Sequence, residues 1–392
     1  PFELSPIDAG TNNPASRSRA NNGRRETVKG DTMPRTNMGA AALIAVMMGA
    51  MPAAAKTMVY VSNADSREIT VLELDASSHQ LKPVETMAVS GTAMPMAISP
   101  DRRHLYVSLR SQPFSVSSFA IDPQSGRLDL LATVPLPDNM AHVATDRTGR
   151  FLLSASYTGH KIAINPIGPN GAAQGEPVQV LETRKHAHAI LTDRSNRYLF
   201  ASNLGGDILL QYRFDAATGQ VAPNEPPFVE TKQGAGPRHF VFHPNDRFLY
   251  LVNELDGTVD SHRFDAAKGV LSKLGSISLM PAGFSSGAPA AAEIRITPDG
   301  RFLYASERTS NTIAAFKVDG QSGALTAAGH FATETQPRGF NIDPRGQFLV
   351  AAGQKSNSAT LYGIHPETGG LKELQRLPLG KNPNWVDIID LP

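Results

Sequence analysis

With 392 residues, 41% of them hydrophobic, the chain can bury a large core, and its 33 glycines and 29 prolines supply turns for many short elements. A net charge of +1, without a basic stripe interleaved with aromatics, argues against a nucleic-acid partner. The absence of cysteine excludes disulfides, thiolate metal sites and a cysteine nucleophile.

Residues 1–32 are polar, rich in Asn and Arg, and are expected to be disordered or extraneous to the fold. Met33-Pro34-Arg35 then makes a short basic start, residues 38–51 form an apolar run, and Ala53-Ala54-Ala55 offers the small residues a signal peptidase needs. Residues 33–55 therefore read as a secretory signal cut after Ala55, which sends the protein to the periplasm or outside the cell. The apolar run is too short to span a bilayer, so no stable membrane insertion is expected after cleavage. Translation from Met58 would instead leave the protein in the cytoplasm.

From residue 56 onward one strand signature recurs. It first stands as Met58-Val59-Tyr60-Val61-Ser62, and then follows a marker Arg or Gln in Arg103-His104-Leu105-Tyr106, Arg150-Phe151-Leu152-Leu153, Arg197-Tyr198-Leu199-Phe200, Arg247-Phe248-Leu249-Tyr250, Arg301-Phe302-Leu303-Tyr304 and Gln347-Phe348-Leu349-Val350. Successive copies lie 46 to 54 residues apart, the size of one four-stranded propeller blade. Seven copies predict an all-β, seven-bladed β-propeller of four-stranded blades over residues 56–392, one cooperative unit despite its length. At the far end Asn382-Pro-Asn-Trp-Val-Asp-Ile-Ile389 repeats the strand that precedes each signature. Pairing it with the strand at Met58 would close the ring and remove the open edge.

Each repeat reads as strand, tight turn, strand, most clearly where Pro237 to His243 runs into Pro244-Asn245-Asp246 and returns through Phe248 to Asn253. The hairpin sets Arg238 beside Glu254 on one rim and the turn on the other. Turn residues and the marker Arg recur in nearly every copy, as structure requires: Asp caps its own turn and Arg bridges to a neighbour. Function belongs where the copies differ. Nine residues before the marker they read Met94, Ala141, His188, Arg238, Ala292 and Arg338; the next position reads Pro95, His142, Ala189, His239, Glu293 and Gly339; seven after the marker stand Arg110, Tyr157, Leu204, Glu254, Arg308 and Gln354. Ionisable groups thus gather at strand ends around one mouth of the ring, where propellers place ligand sites.

His188, Arg238, Glu254 and Arg338 carry the most chemistry. Two guanidinium forks from different blades can hold a phosphate, a carboxylate or a developing oxyanion, and Glu254 or His188 can take a proton from water. Arg110, Gln354, Glu293 and His239 are expected around the substrate, with His239 also able to orient Glu254; a purely structural ion-pair network is the alternative. His186 and His188 share a strand face, but no third ligand accompanies them at metal-like spacing, so no metal is expected. No nucleophile elbow, P-loop or dinucleotide fingerprint is present, and no cofactor is expected.

At these residues the chain resembles the propeller-type 6-phosphogluconolactonases of bacteria, a lactonase family that includes a fungal muconate-lactonizing enzyme. The resemblance covers residues 56–391 and is carried by Gly234-Ala-Gly-Pro-Arg-His-Phe-Val-Phe-His-Pro-Asn245, Val252-Asn-Glu-Leu255, Ile296-Thr-Pro-Asp-Gly-Arg301, Glu334-Thr-Gln-Pro-Arg-Gly-Phe340 and Ala351-Ala-Gly-Gln-Lys-Ser356. It implies metal-independent hydrolysis of a sugar lactone, a small-molecule partner, and functional roles for His188, Arg238, Glu254 and Arg338. In that picture Arg238 stabilises the oxyanion and Arg338 grips the anionic end of 6-phosphogluconolactone. Ala290-Ala291-Ala292-Glu293 departs from the family's pattern, and the apparent signal peptide sits uneasily with a phosphorylated cytoplasmic metabolite. Three other readings stand beside it: an exported hydrolase of an unphosphorylated aldonolactone, a muconate-type lactonizing enzyme, and a non-enzymatic propeller that binds carbohydrate or protein. The fold alone does not choose among them.

Overall fold

Alternation along the signature strands places apolar side chains on both faces, which is stable only if both faces are covered. Met58 and Tyr60 pack toward one neighbouring sheet while Val59 and Val61 pack toward the other. Repeated around the chain, this pattern yields seven hydrophobic clusters, one at each junction between sheets. The computed structural model describes residues 56–392 together with Thr27 and Gly30; the rest of 1–32 and the expected signal segment 33–55 lie outside the described residues.

The described residues form seven four-stranded antiparallel sheets arranged as propeller blades. Their first strands, which line the central channel, are Ala93–Ile98, Met140–Thr145, Ala187–Thr192, Pro237–Phe242, Ala291–Ile296, Pro337–Ile342 and Pro383–Asp390. The last of these pairs antiparallel with Thr57–Asn63, from Thr57↔Asp390 to Asn63↔Pro383. Both ends of the propeller therefore meet in one blade, as the repeat predicts, and the sheet edge is consumed. No helix of the described residues is long and apolar enough to cross a membrane.

The turn rim explains why its residues recur. Asp146 accepts hydrogen bonds from the backbone N–H groups of Thr148, Arg150 and Phe151, and Asp343 does the same for Arg345, Gln347 and Phe348. The marker arginines reach into the next blade: Arg197 donates to Ala266 O at 2.9 Å, Arg247 to Gln321 O at 3.1 Å and Arg301 to Pro366 O at 2.7 Å. The aromatic of the signature repeats this link, with Tyr60, Tyr106, Tyr250 and Tyr304 each donating to a glycine carbonyl in the following blade.

The mouth rim is irregular in a regular way. All seven first strands carry a register shift near their mouth end: pairing jumps from Pro237↔Asn253 to Phe240↔Leu251, from Ala187↔Asn203 to Ile190↔Ala201 and from Pro337↔Gly353 to Gly339↔Ala352, with equivalents in the other four blades. Each shift inserts one extra residue, a β-bulge that bends the strand and re-aims a side chain. His188, Arg238 and Arg338 all sit in these bulges. The backbone groups freed from the ladder find partners in serines of the signature strand: Ser202 Oγ accepts from Ala189 N at 3.0 Å and donates to Arg238 O. Gly339 follows Arg338 because a Cβ there would lie 2.5 Å from Asn384 O.

Candidate active site

Glu254 ends the strand Phe248–Asn253, where its backbone N–H donates to Gly236 O at 2.7 Å. From that anchor its carboxylate bridges two blades. Oε2 lies 2.8 Å from Arg238 Nε and Oε1 lies 2.8 Å from Arg308 Nη2. The contact with Arg238 is a close ion pair without the alignment of a hydrogen bond. Burial alone would raise the Glu254 carboxyl, but Arg238 and Arg308 outweigh it and hold the group below the usual glutamate range.

The arginines differ in how far they are committed. Arg238 is 1% exposed; besides Glu254, its Nη1 donates to Ala292 O at 2.5 Å. Burial pulls it down to about 10, against the attraction of Glu254. Arg308 donates through Nε to Ala290 O at 2.8 Å and keeps part of its surface open. Arg110 is held by Asn139 Oδ1 and Met94 Sδ. Arg338 enters no ion pair or hydrogen bond among the described residues. Burial, then the charges of Arg238, Arg308 and Arg110, depress it well below the ordinary arginine value, although part of its surface remains open to solvent. Four guanidinium groups thus gather near one carboxylate: Arg238 and Arg308 pair with it, Arg110 has only neutral partners, and Arg338 has none.

His188 stands beside this cluster. It is 4% exposed, its Nδ1 has no partner, and Tyr157 meets it edge-on with ring centroids 5.8 Å apart. Burial, followed by Arg238 and the neighbouring His239, drives its pKa well below that of a free imidazole, so at neutral pH it carries a lone pair rather than a charge. His186, two residues earlier, turns away to stack on Tyr157 at 4.1 Å and to donate to Tyr157 O at 2.9 Å.

The structure brings His188, Arg238, Glu254, Arg338 and Arg110 together at the mouth, and adds Arg308, which the sequence had placed at an equivalent position without singling it out. Gln354 is on the same rim but is tied to Asn382 Oδ1 at 2.9 Å. His239 and Glu293 are corrected: they do not face the mouth. His239 Nδ1 pairs with Glu293 Oε1 at 3.2 Å rather than with Glu254, and both residues line a channel cavity of about 300 Å³ together with His142, Arg295, Trp385 and Asp387. The expected role of Arg238 as the direct oxyanion donor also shifts, because its guanidinium is sealed behind Glu254 and Arg308 is the accessible member of that clasp.

A family described as Lactonase, 7-bladed beta-propeller matches residues 57–388. The chain belongs to that lactonase family. Among curated relatives, the 6-phosphogluconolactonase of Pectobacterium carotovorum is 44% identical over 85% of this chain and 99% of its own length. That of Serratia proteamaculans is 40% identical over 85% and 99%. Among solved structures, the periplasmic gluconolactonase of Pseudomonas aeruginosa superposes with a TM-score of 0.80 at 28% identity, covering 86% of this chain and all of that one. The lactonase propeller here departs from its own internal repeat at one junction on the mouth rim. The connection between Val270–Ser278 and Ala291–Ile296 runs to 12 residues, against four to six at the other six junctions.

Proposed function

We propose that the mouth hydrolyses a six-carbon aldonolactone bearing an anionic group, of which 6-phosphogluconolactone is the type. The observation that carries this reading is the uncompensated charge of Arg338 within a group of four arginines and one carboxylate. An anion docking there relieves like-charge repulsion and regains the hydrogen bonds that Arg338 lacks. A neutral lactone would leave that cost in place.

Water attacks the lactone carbonyl carbon while neutral His188 takes its proton, and the carbonyl oxygen becomes an oxyanion facing Arg308 with the field of Arg238 behind it. The C–O ring bond then breaks. Its oxygen leaves as the hydroxyl of the open acid after taking the proton back from His188. The depressed basicity of His188 works against the first transfer, but the incoming anion offsets the arginine charges that cause part of the depression. Glu254, held ionised between two arginines, serves to fix them and is a poor base.

The test is hydrolysis of phosphorylated and unphosphorylated gluconolactone and of a muconate by the purified protein. The reading expects a kcat/KM preference of about 10²-fold for the phosphorylated lactone, eroded by salt. Equal or better use of the neutral lactone would overturn it. That outcome belongs to a second reading, an exported hydrolase of unphosphorylated aldonolactone, supported by the likeness to a periplasmic gluconolactonase. Export through residues 33–55 goes with that second reading, and its test is whether the native protein begins at Lys56.

A further inference from the structure

The chemistry proposed for His188 requires one tautomer. For Nε2 to present a lone pair to water, Nδ1 must carry the hydrogen, and a buried N–H needs an acceptor. Nδ1 of His188 is sealed from solvent and no protein group is hydrogen-bonded to it. At the mouth Arg238, Arg308 and Arg338 are donors, and the one carboxylate, Glu254, is engaged by Arg238 and Arg308. An acceptor without a partner stands on the channel side.

There the neighbour is His239, whose ring centroid lies 5.1 Å from that of His188. This is about the separation at which two imidazoles share an N–H···N bond of ~2.9 Å. Glu293 determines which nitrogen of His239 is free to accept. Its Oε1 already takes the N–H of Ile294 at 3.0 Å and lies 3.5 Å from Arg295 Nε, so it acts as an acceptor and His239 Nδ1 donates to it at 3.2 Å. That leaves the lone pair on His239 Nε2, which is buried and has no partner. His142 and Trp385 close the remaining sides of His239, with centroids at 5.3 and 5.6 Å.

We infer that Glu293 and His239 are positioning residues: through the hydrogen-bond order Glu293, His239, His188 they hold His188 as the Nδ1–H tautomer, with Nε2 free for the substrate water. The link between the two rings is a direct N–H···N bond after a small ring rotation or one bridging water. Repetition does not explain the arrangement, since only the blade of Ala291–Ile296 places an acidic residue at this position of its first strand; the equivalents are Pro95, His142, Ala189, His239, Gly339 and Trp385.

The inference rests on the proposed role of His188, but its first test does not depend on turnover. In the full chain with ¹⁵N-labelled histidine, NMR at neutral pH is expected to show His188 and His239 both as Nδ1–H tautomers; an Nε2–H signature for His188 would overturn the inference. In Glu293→Gln the amide can donate to His239 Nδ1, which reverses His239 and removes the acceptor for His188. Both rings should then switch to Nε2–H, kcat should fall about 10²- to 10³-fold with KM within about twofold, and Glu293→Asp should restore part of the rate. A folded Glu293→Gln protein with unchanged tautomers and kcat would mean that the pair only packs the channel. If the tautomers switch but no lactone is hydrolysed by the parent protein, the positioning stands and the proposed function fails.

Discussion

The two rims of the ring are made by the same strands, yet they obey opposite rules. On the turn rim charged groups are answered in most blades: aspartates cap their own turns, and Arg150, Arg197, Arg247 and Arg301 bond carbonyls of the next blade. On the mouth rim the repeat breaks, and Arg338, the unpartnered Nδ1 of His188 and the 12-residue connection appear. The difference teaches where stability and chemistry reside. Residues that recur satisfy one another, whereas residues that vary carry unmet interactions, the state expected of a site organised for a ligand.

The largest effect should come from opening the ring. Removing residues 381–392 deletes Pro383–Asp390, exposes the edge of Thr57–Asn63 and strips Trp385, Val386, Ile388 and Ile389 from two interblade clusters. Calorimetry should find the cooperative unfolding transition abolished; a truncated protein melting near the parent would show that the closing blade is dispensable.

Mouth substitutions should separate activity from stability. His188→Asn should lower kcat by about 10²- to 10⁴-fold with little change in KM. Arg338→Ala should cost about 10²- to 10³-fold in kcat/KM for a phosphorylated lactone while leaving Tm equal or higher, because the side chain has like-charged neighbours and no partner. A fall in Tm with unchanged kinetics would place Arg338 among the structural residues.

Turn-rim substitutions should do the reverse. Asp146→Ala removes the acceptor of three backbone N–H groups and of Asn196 Nδ2, and should cost about 2 kcal/mol in denaturant unfolding without altering kcat. Arg301, exposed and paired to Asp299 at 2.7 Å, should matter less, under about 1 kcal/mol on replacement by Ala. An activity loss in either would blur the division between the rims.

The channel between them should give a signal of another kind, visible only in pH dependence. Burial, reinforced by Glu293 against Arg295, raises Asp387 to about 7. The folded state therefore binds a proton that the unfolded state has released between about pH 4 and 7, and this group's contribution to stability falls as pH rises through that window. His142, pushed down to about 3 by burial, has the opposite sign: the unfolded state takes up its proton first as pH falls below about 6.5, and stability falls with it. Asp387→Asn should raise Tm more at pH 8 than at pH 5 and leave the acid limb intact. Equal gains at both pH values would mean that the carboxyl is not perturbed.

How much of this is legible in the sequence follows from the range of each interaction. The period is written along each strand, the contact between Arg238 and Glu254 lies within one hairpin, and the closing pair, although it joins the two ends of the propeller, completes a repeat, so spacing alone yields all three. His239, one step from Arg238, belongs by strand alternation to the channel side, against the place around the substrate that its chemistry suggests. Its partner does not follow from alternation: Glu293 belongs to the next blade, and which groups meet depends on the rotation between blades. The bulges escape as well, because an extra residue is invisible until the register with the neighbouring strand is known. Arg308 was within reach, at the position that yields Glu254 one blade earlier, but its value lies in being more accessible than Arg238, and burial is a property of the folded ring.

The most direct measurement is kcat/KM for 6-phosphogluconolactone and for gluconolactone in the parent protein and in Arg338→Ala. The phosphorylated substrate should be favoured by about 10²-fold in the parent, and the variant should lose most of that preference while hydrolysing the neutral lactone within a few-fold of the parent rate. A preference that survives intact in a well-folded Arg338→Ala protein would show that the anion is held elsewhere, and the mouth cluster would then be structural.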